Sequence, residues 1–129
     1  MSEAKPEVSL VVPVFNEVDN VEPLLEAISA ALESRSYEVV LVNDGSTDGS
    51  AAALDAIAQR SDSIRVIHFV RNYGQTAALT AGIRHSSAPI IVTLDADLQN
   101  DPADIPAMLE KLSEADVVCG WRKDRKDPW

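Results

Sequence analysis

The sequence lacks the features that stabilise a protein by cross-links or anchor it in a membrane. One cysteine among 129 residues excludes a disulfide framework and a cysteine metal site within the chain. The longest apolar runs, 8–15 and 89–94, fall well short of the roughly 20 residues that cross a bilayer. No cationic and apolar leader pattern opens the chain. These absences predict a soluble, cytoplasmic chain with a single compact domain, because 129 residues are too few for two cores.

Positive charge is also scarce and unevenly placed, with four of the 11 lysines and arginines in the last eight residues. The chain carries 11 lysines and arginines against 21 acidic residues, a formal net charge of -10, which argues against a nucleic-acid ligand. A phosphate ligand therefore has to be bound locally, by a divalent cation or a helix N-terminus. The last residues form a basic tail between Trp121 and Trp129. We expect a frayed terminus in this chain and an interfacial segment in a longer parent protein.

Apolar, β-branched runs alternate with segments of helical period along the whole chain. This alternation is typical of βα units that build a parallel sheet covered on both faces. Asp19 or Asn20 is the expected N-cap of the first helix, and Asp101 precedes Pro102 at the start of the fourth. The predicted strands are 8–14, 37–42, 64–69, 89–94 and 116–119, and the predicted helices are 21–34, 50–60, 75–85 and one that begins near 102.

Acidic residues follow three of the predicted strands. Glu17 comes after the first, Asp44 after the second, and Asp95 with Asp97 after the fourth. The carboxyl ends of parallel strands form the ligand-binding edge of an open sheet, where unpaired carboxylates would repel one another. An Asp-x-Asp alone is also common in surface turns. In this context it suits Mg²⁺ or Mn²⁺, with Gln99 as a further oxygen ligand.

Three stretches of the sequence resemble the motifs of family 2 glycosyltransferases with the GT-A fold. They are Val11-Val12-Pro13-Val14-Phe15-Asn16-Glu17, Val42-Asn43-Asp44-Gly45-Ser46-Thr47-Asp48-Gly49 and Leu94-Asp95-Ala96-Asp97-Leu98-Gln99-Asn100-Asp101-Pro102. Within the family the chain is most similar to the branch of dolichol-phosphate mannose synthases and polyprenyl-phosphate glycosyltransferases. The turn 71–75 and the segment Gly120-Trp121-Arg122 fit the same branch.

The resemblance implies a fold, a domain and a set of site residues. The expected fold is α/β: a truncated, three-layer, Rossmann-like GT-A domain over 1–129, with a mostly parallel sheet and residues 120–129 as the tail. Residues of the three motifs, together with Arg122, would bind the nucleotide sugar, namely Pro13, Phe15, Glu17, Val42, Asp44, Asp95, Ala96, Asp97 and Arg122. Asp95, Asp97 and Gln99 would hold the metal, through which Asp97 would act in catalysis. The family often has tyrosine where Phe15 stands, so any hydroxyl contact at that position is lost.

The activity that the resemblance implies is transfer of a sugar from a UDP- or GDP-linked donor to a polyprenyl phosphate. The reaction would invert the anomeric carbon with the help of Mg²⁺ or Mn²⁺, at the cytoplasmic face of a membrane in the full-length parent. A phosphate acceptor is already ionised near neutral pH and needs no strong general base. His68 lies at an alternating position of the third strand and His85 at a helix end, so we expect structural or solvated positions for both. Arg71 is left open between a solvated charge and a contact with the acceptor phosphate.

Three other interpretations are kept. A receiver-like signalling domain also has five βα units, but it places its acidic pair after the first strand. A haloacid-dehalogenase-like phosphatase carries an Asp-x-Asp, normally also after the first strand. The third is a donor-binding module, inactive in isolation, because transferase domains of the family extend well past the fifth strand. We expect this chain to bind a nucleoside diphosphate with metal and to transfer sugar poorly or not at all.

Overall fold

The structure, a computed structural model, describes residues 5–96 and 102–111. Strands and helices alternate as predicted: β1 (Val8–Val14), α1 (Val18–Ala31), β2 (Tyr37–Asn43), α2 (Ser50–Ala58), β3 (Ile64–His68), α3 (Gln75–Arg84), β4 (Ile90–Thr93), a 3-10 turn (Pro102–Asp104) and α4 (Ile105–Lys111). None of the helices in these two ranges is long and apolar enough to pass through a bilayer. The predicted fifth strand at 116–119 and the tail at 120–129 lie outside the described residues.

The four described strands form one sheet in the order β3-β2-β1-β4. Every pairing in it is parallel, and Val8 of β1 lies opposite Tyr37 of β2 on one side and Ile90 of β4 on the other. Consecutive parallel strands need a crossover connection, which each intervening helix supplies. The predicted α/β class with a parallel sheet is confirmed.

Helices cover both faces of the sheet, so the predicted three layers are present. One face carries a large apolar cluster in which Leu10 and Val12 of β1 are packed with Leu24 and Ile28 of α1. The opposite face has a smaller cluster in which Val40 and Val42 of β2 meet Ala78 of α3. Because β1 and β2 are buried on both faces, their sequences are continuous apolar runs rather than alternating ones.

The first helix begins earlier than its apolar stripe predicts. Its N-cap residue is Glu17, and neither Asp19 nor Asn20 caps it. The amide of Asn20 already donates to the carbonyl of Glu17 at 2.9 Å, so the first turn is closed before the predicted caps. The expectation of a cap at these two residues is wrong because both lie inside the first turn of the helix, after its N-cap. Asp19 can still interact favourably with the helix dipole there.

The fourth strand is shorter than predicted, and the fourth α-helix begins later. β4 begins at Ile90 rather than Pro89, and proline has no amide to give to a sheet. Residues Pro102–Asp104 form a 3-10 turn, and the α-helix proper starts only at Ile105. The expected N-cap Asp101 lies outside the described residues.

Candidate functional site

The carboxyl edge of the sheet brings together the loops that follow β1, β2 and β4. Because β1 lies between β2 and β4, the segment after β1 lies between Asp44 and Asp95, which follow its two neighbours. The order of the strands reverses between β1 and β4. Ligands of open parallel sheets bind in the crevice at such a reversal. The described candidate residues therefore lie at the edge where the sequence predicts a site.

The loops after β1 and β2 are joined by hydrogen bonds through Asn16. Its backbone has a positive φ of 53°, which asparagine tolerates better than most residues. Its amide donates to Ser46 Oγ at 3.0 Å, and its Oδ1 accepts the amide of Thr47 at 2.8 Å. Glu17 follows at once as the half-buried N-cap residue of α1. The two loops are therefore joined by hydrogen bonds from a backbone amide of each loop to a side chain of the other.

Three residues predicted to line a nucleotide pocket differ in their exposure. The side chain of Val42 is fully buried in the cluster under α3, so a contact between this residue and a ligand is left to its backbone. Pro13 is half-buried near the end of β1. Phe15 is 43% exposed although it is a large aromatic residue. An exposed ring beside the crevice suits stacking on a planar group.

Asp44 is almost completely buried, and its carboxylate holds the turn between β3 and α3. Oδ1 accepts the amide of Tyr73 at 2.7 Å, and Oδ2 accepts the amide of Gly74 and the side-chain amide of Asn72, each at 3.0 Å. The residue is only 4% exposed. Three N–H donors stabilise the buried charge. The repulsion expected of this carboxylate is therefore relieved by protein donors and does not require a cation.

Gly45 allows the loop after β2 to touch this turn. Its φ is +71°, and a Cβ at this position would lie 2.2 Å from the carbonyl carbon of Arg71 and 2.3 Å from the amide nitrogen of Asn72. No side chain fits between two backbones at such a distance. Arg71 itself is exposed, with its guanidinium 4.8 Å from the centre of the Tyr73 ring.

Asp95 follows β4 directly and is hydrogen-bonded to the first residue of α3. The side-chain amide of Gln75 donates to Asp95 Oδ1 at 3.2 Å. Ala96, the next residue, is 3% exposed and belongs to the main apolar cluster. Burial of Ala96 and the bond from Gln75 together fix the start of the acidic triplet at the mouth of the crevice.

The remaining candidates for metal and diphosphate binding are Asp97, Gln99 and Arg122, which lie outside the described residues. In the ranges 5–96 and 102–111, no three acidic, histidine or cysteine side chains come together to hold a metal. Asp95 nevertheless supplies a hard oxygen at a strand end. Mg²⁺ is usually bound by one or two carboxylates together with waters and substrate phosphates, and Asp95 fits one of those positions.

His68, the last residue of β3, supports the loop after β2 through Asn43. Its Nε2 lies 2.8 Å from Asp55 Oδ1 in α2, and its Nδ1 lies 3.0 Å from the side-chain amide nitrogen of Asn43. Since the amide nitrogen of Asn43 can only donate, Nδ1 accepts and Nε2 carries the hydrogen. Asn43 Oδ1 in turn accepts the amide of Ser46 at 3.0 Å. The ring thus has a structural place. The ring of His85, at the end of α3, is hydrogen-bonded through Nδ1 to the carbonyl of Ala81 at 2.9 Å.

Sequence reasoning did not single out three residues that shape this site. They are Asn16, Asn72 and Gln75, whose side-chain amides join one loop to another. Asn16 and Asn72 lie in loops that follow strands, where asparagine side chains commonly bond to backbone groups, and Gln75 is the first residue of α3. That position was the available signal, but the partners are 20 to 31 residues distant in sequence.

A parallel sheet with acidic residues at the carboxyl ends of its strands is an arrangement in which open α/β proteins bind polar ligands. The family model described as "Glycosyl transferase family 2" matches residues 9–129. The chain belongs to this family. The match confirms the predicted resemblance and rules out the receiver-like and phosphatase interpretations.

Two relatives show which branch of the family is similar. The chain is 47% identical over 126 residues to the dodecaprenyl-phosphate galacturonate synthase of Rhizobium johnstonii, covering 94% of this chain and 37% of that protein. It is 47% identical over 127 residues to the undecaprenyl-phosphate 4-deoxy-4-formamido-L-arabinose transferase of Edwardsiella ictaluri, covering 95% and 39%. Both are named for polyprenyl phosphates, as the resemblance predicts. The chain spans about two fifths of their length.

Solved structures confirm the fold. A mannosyltransferase from Pyrobaculum calidifontis in complex with GDP-Man and Mn²⁺ superimposes with a TM-score of 0.73 at 26% identity, over 87% of this chain and 34% of that one. The Staphylococcus aureus protein TarS in complex with UDP gives a TM-score of 0.68 over 84% of this chain and 32% of that one. At 19% identity the second likeness shows the fold alone.

Proposed function

We propose that this chain is the donor-binding part of an inverting glycosyltransferase that transfers a sugar from a nucleoside diphosphate to a polyprenyl phosphate. The observation that carries the proposal is the position of Asp95, which follows β4 beside the reversal of strand order. The two relatives named for polyprenyl phosphates support the acceptor. The mannosyltransferase complex supports a nucleotide sugar as donor.

The nucleotide would lie across the ends of β1 and β2. Phe15 offers an exposed ring for stacking, Pro13 and Glu17 flank it, and Val42 would contribute its backbone. Asp44 would face the base and ribose from the adjacent strand end. Because its carboxylate already accepts three protein hydrogen bonds, it would contact the nucleotide with its remaining acceptor capacity.

The diphosphate would lie beyond β4. Ribose, diphosphate and a divalent metal would meet Asp95, Ala96 and Asp97, with Gln99 completing the metal ligands and Arg122 contacting the diphosphate. Bound Mg²⁺ or Mn²⁺ would neutralise the charge that develops on the departing nucleoside diphosphate. The Mn²⁺ in the mannosyltransferase complex supports a divalent ion. A negatively charged chain could bind a diphosphate in this way without a basic surface.

The transfer itself would be a single in-line displacement at the anomeric carbon. An oxygen of the acceptor phosphate attacks, the bond to the donor diphosphate breaks, and the configuration inverts. The acceptor oxygen carries no proton near neutral pH, so the protein has to bind and orient the reactants and need not remove a proton. This requirement agrees with the structural places of His68 and His85.

Titration calorimetry of the chain with UDP and GDP, each with and without MnCl₂, tests this proposal. We expect binding of one nucleotide that depends on Mn²⁺ and is lost in Asp95→Ala and in Asp97→Ala. Asp62→Ala is the matched control, because Asp62 is an exposed residue in the turn before β3, at the opposite end of the sheet. Binding that ignores both the metal and the two site substitutions would disprove donor binding at this edge.

Acceptor and membrane are tested separately in the longer protein. Transfer of radiolabelled sugar to polyprenyl phosphate in detergent or lipid vesicles is the expected activity. Conversion of the donor to free sugar, with no labelled lipid, would contradict the acceptor. Sedimentation with vesicles that contain anionic lipid would show whether the protein reaches the membrane surface where such an acceptor lies.

A further inference from the structure

We propose that Gln75 is a positioning residue that orients the Asp95 carboxylate, and that the Asp44 carboxylate holds the frame from which Gln75 acts. The proposal rests on the proposed function, in which Asp95 binds a divalent metal. It concerns a chain of contacts between two strand ends. The chain runs from Asp44 after β2, through the turn before α3 and Gln75, to Asp95 after β4.

The first step is the frame. Asp44 accepts the backbone amides of Tyr73 and Gly74 at 2.7 and 3.0 Å, and its carboxylate and its carbonyl accept the Asn72 side-chain amide at 3.0 and 3.2 Å. The backbone of Gly45 presses against the same turn. Two separate contacts, one polar and one steric, therefore fix the turn relative to the end of β2.

The second step is that the fixed turn also fixes the backbone of Gln75. Gly74, with φ of 101°, is the N-cap residue of α3, and the amide of Ala78 donates to its carbonyl at 3.1 Å. Gln75 is the next residue and the first of the helix. A residue between a clamped turn and a regular helix has little freedom in its backbone, so its side chain starts from a defined point.

The third step is the bond to Asp95. Gln75 Nε2 donates to Asp95 Oδ1 at 3.2 Å across 20 residues of sequence. A carboxylate has about four acceptor sites, so one amide bond can set the plane of the group while sites remain for a cation. Residues that hydrogen-bond a ligating carboxylate orient it in this way, and their loss typically costs about 10- to 100-fold in metal affinity.

Gln75→Met tests the role of the amide. Methionine keeps the length and helix propensity of glutamine but cannot donate to Asp95. The measurement is electron paramagnetic resonance of free Mn²⁺, titrated into the chain in the presence of UDP or GDP. We expect the dissociation constant for Mn²⁺ to rise about 10-fold, while the thermal unfolding midpoint stays as in the wild type. An unchanged dissociation constant would overturn the proposal.

Thr76→Ala is the matched control. Thr76 is exposed in the same first turn of α3, and the proposal gives its side chain no role in orienting Asp95. It is expected to bind Mn²⁺ as the wild type does. If the wild type itself binds neither nucleotide with Mn²⁺, donor binding fails. If the wild type binds and Gln75→Met binds equally well, only the role of Gln75 fails.

The frame is tested with Asn72→Ala, alone and combined with Gln75→Met. Asn72→Ala removes both hydrogen bonds from the Asn72 side chain to Asp44, and it is expected to weaken Mn²⁺ binding only through Gln75. Its effect should therefore vanish when Gln75 is already methionine, because residues that act through one contact are not additive. Equal effects of Asn72→Ala in both backgrounds would show that the turn does not act through Gln75.

Discussion

The backbone amide of Tyr73 lies 2.7 Å from Oδ1 of Asp44, so the carboxylate at the end of β2 holds the turn that follows β3. The two residues are 29 positions apart in the sequence. The contact gives a residue predicted to bind nucleotide a second task, which is to build the edge on which the nucleotide would bind. Substitutions at this edge should therefore change stability as well as affinity.

Asp44→Asn is expected to destabilise the fold by about 1–3 kcal/mol, because an NH₂ group has to replace one of two oxygens that both accept from the turn. In either orientation of the new amide, at least one donor would face another donor in a buried place. Urea unfolding measures the change. Asp48→Asn is the control, since the amide of Ser50 donates to one oxygen of exposed Asp48, and asparagine retains an acceptor there. Equal stability of the two variants would contradict the claim that the Asp44 carboxylate holds the turn before α3.

Gly45→Ala should lower the free energy of unfolding more than Gly49→Ala does, although both glycines have a positive φ, +71° and +81°. Each substitution incurs the left-handed penalty of about 1–2 kcal/mol. A Cβ on Gly45 also meets the Arg71 backbone at 2.2 Å, whereas a Cβ on Gly49 meets nothing within 4 Å. The difference between the two unfolding free energies isolates the contact between loop and turn, and a difference of zero would mean that the turn moves away freely.

Gly82→Ala should weaken the packing of α3 on the sheet. An added Cβ would lie 2.3 Å from Val11 Cγ1 and 3.2 Å from Val42 Cγ2, and overpacking of this kind costs about 1–3 kcal/mol. Alanine regains up to about 1 kcal/mol of helix propensity, so the net loss is smaller. Val11→Ala in the same chain removes the clash. The double variant should thus lose less stability than the two single losses added together, as measured by thermal unfolding.

Glu38 makes the stability of the fold depend on pH. Burial raises the pKa of its carboxyl, but hydrogen bonds from Ser9 and Ser87 and the charge of Arg65 outweigh burial, so the pKa lies below its usual value. A lowered folded-state pKa stabilises the fold above the unfolded pKa of about 4.3, and this contribution is lost as the pH falls through the folded-state value.

Glu38→Gln should therefore lose part of the decrease in unfolding free energy that the wild type shows between about pH 6 and about pH 3. Glu7→Gln is the control, because the Glu7 carboxylate is 45% exposed and pairs with a surface arginine, Arg35, in a class of ion pair that contributes little. Its pH dependence should match the wild type. A Glu38→Gln profile parallel to the wild type would show that other carboxyls dominate.

Much of the fold could be predicted because its signals are local. Continuous apolar runs mark β1 and β2 as strands buried on both faces, and the spacing of Leu24 and Ile28 marks one side of α1. The boundaries were less accurate. Whether a helix begins at Val18 or Val21 depends on which amides find partners, and the apolar stripe carries no information about that.

The edge of the candidate site could be predicted, but the contacts within it could not. The carboxyl ends of parallel strands all lie on one edge of the sheet, so the sequence predicts Asp44 and Asp95 on the same edge. The partners of Asp44 come from a turn almost thirty residues later. No sequence spacing relates the two segments, because only the pairing of β2 with β3 brings them together.

The sequence by itself determined the class of fold, the acidic edge and the family, because strand and helix periods and motifs are properties of neighbouring residues. The tertiary structure decided what the acidic residues touch. It gave Asp44 three donors from a distant turn and gave Asp95 the amide of Gln75. The physical reason is that a buried carboxylate must be satisfied by whatever donors the packed chain places beside it.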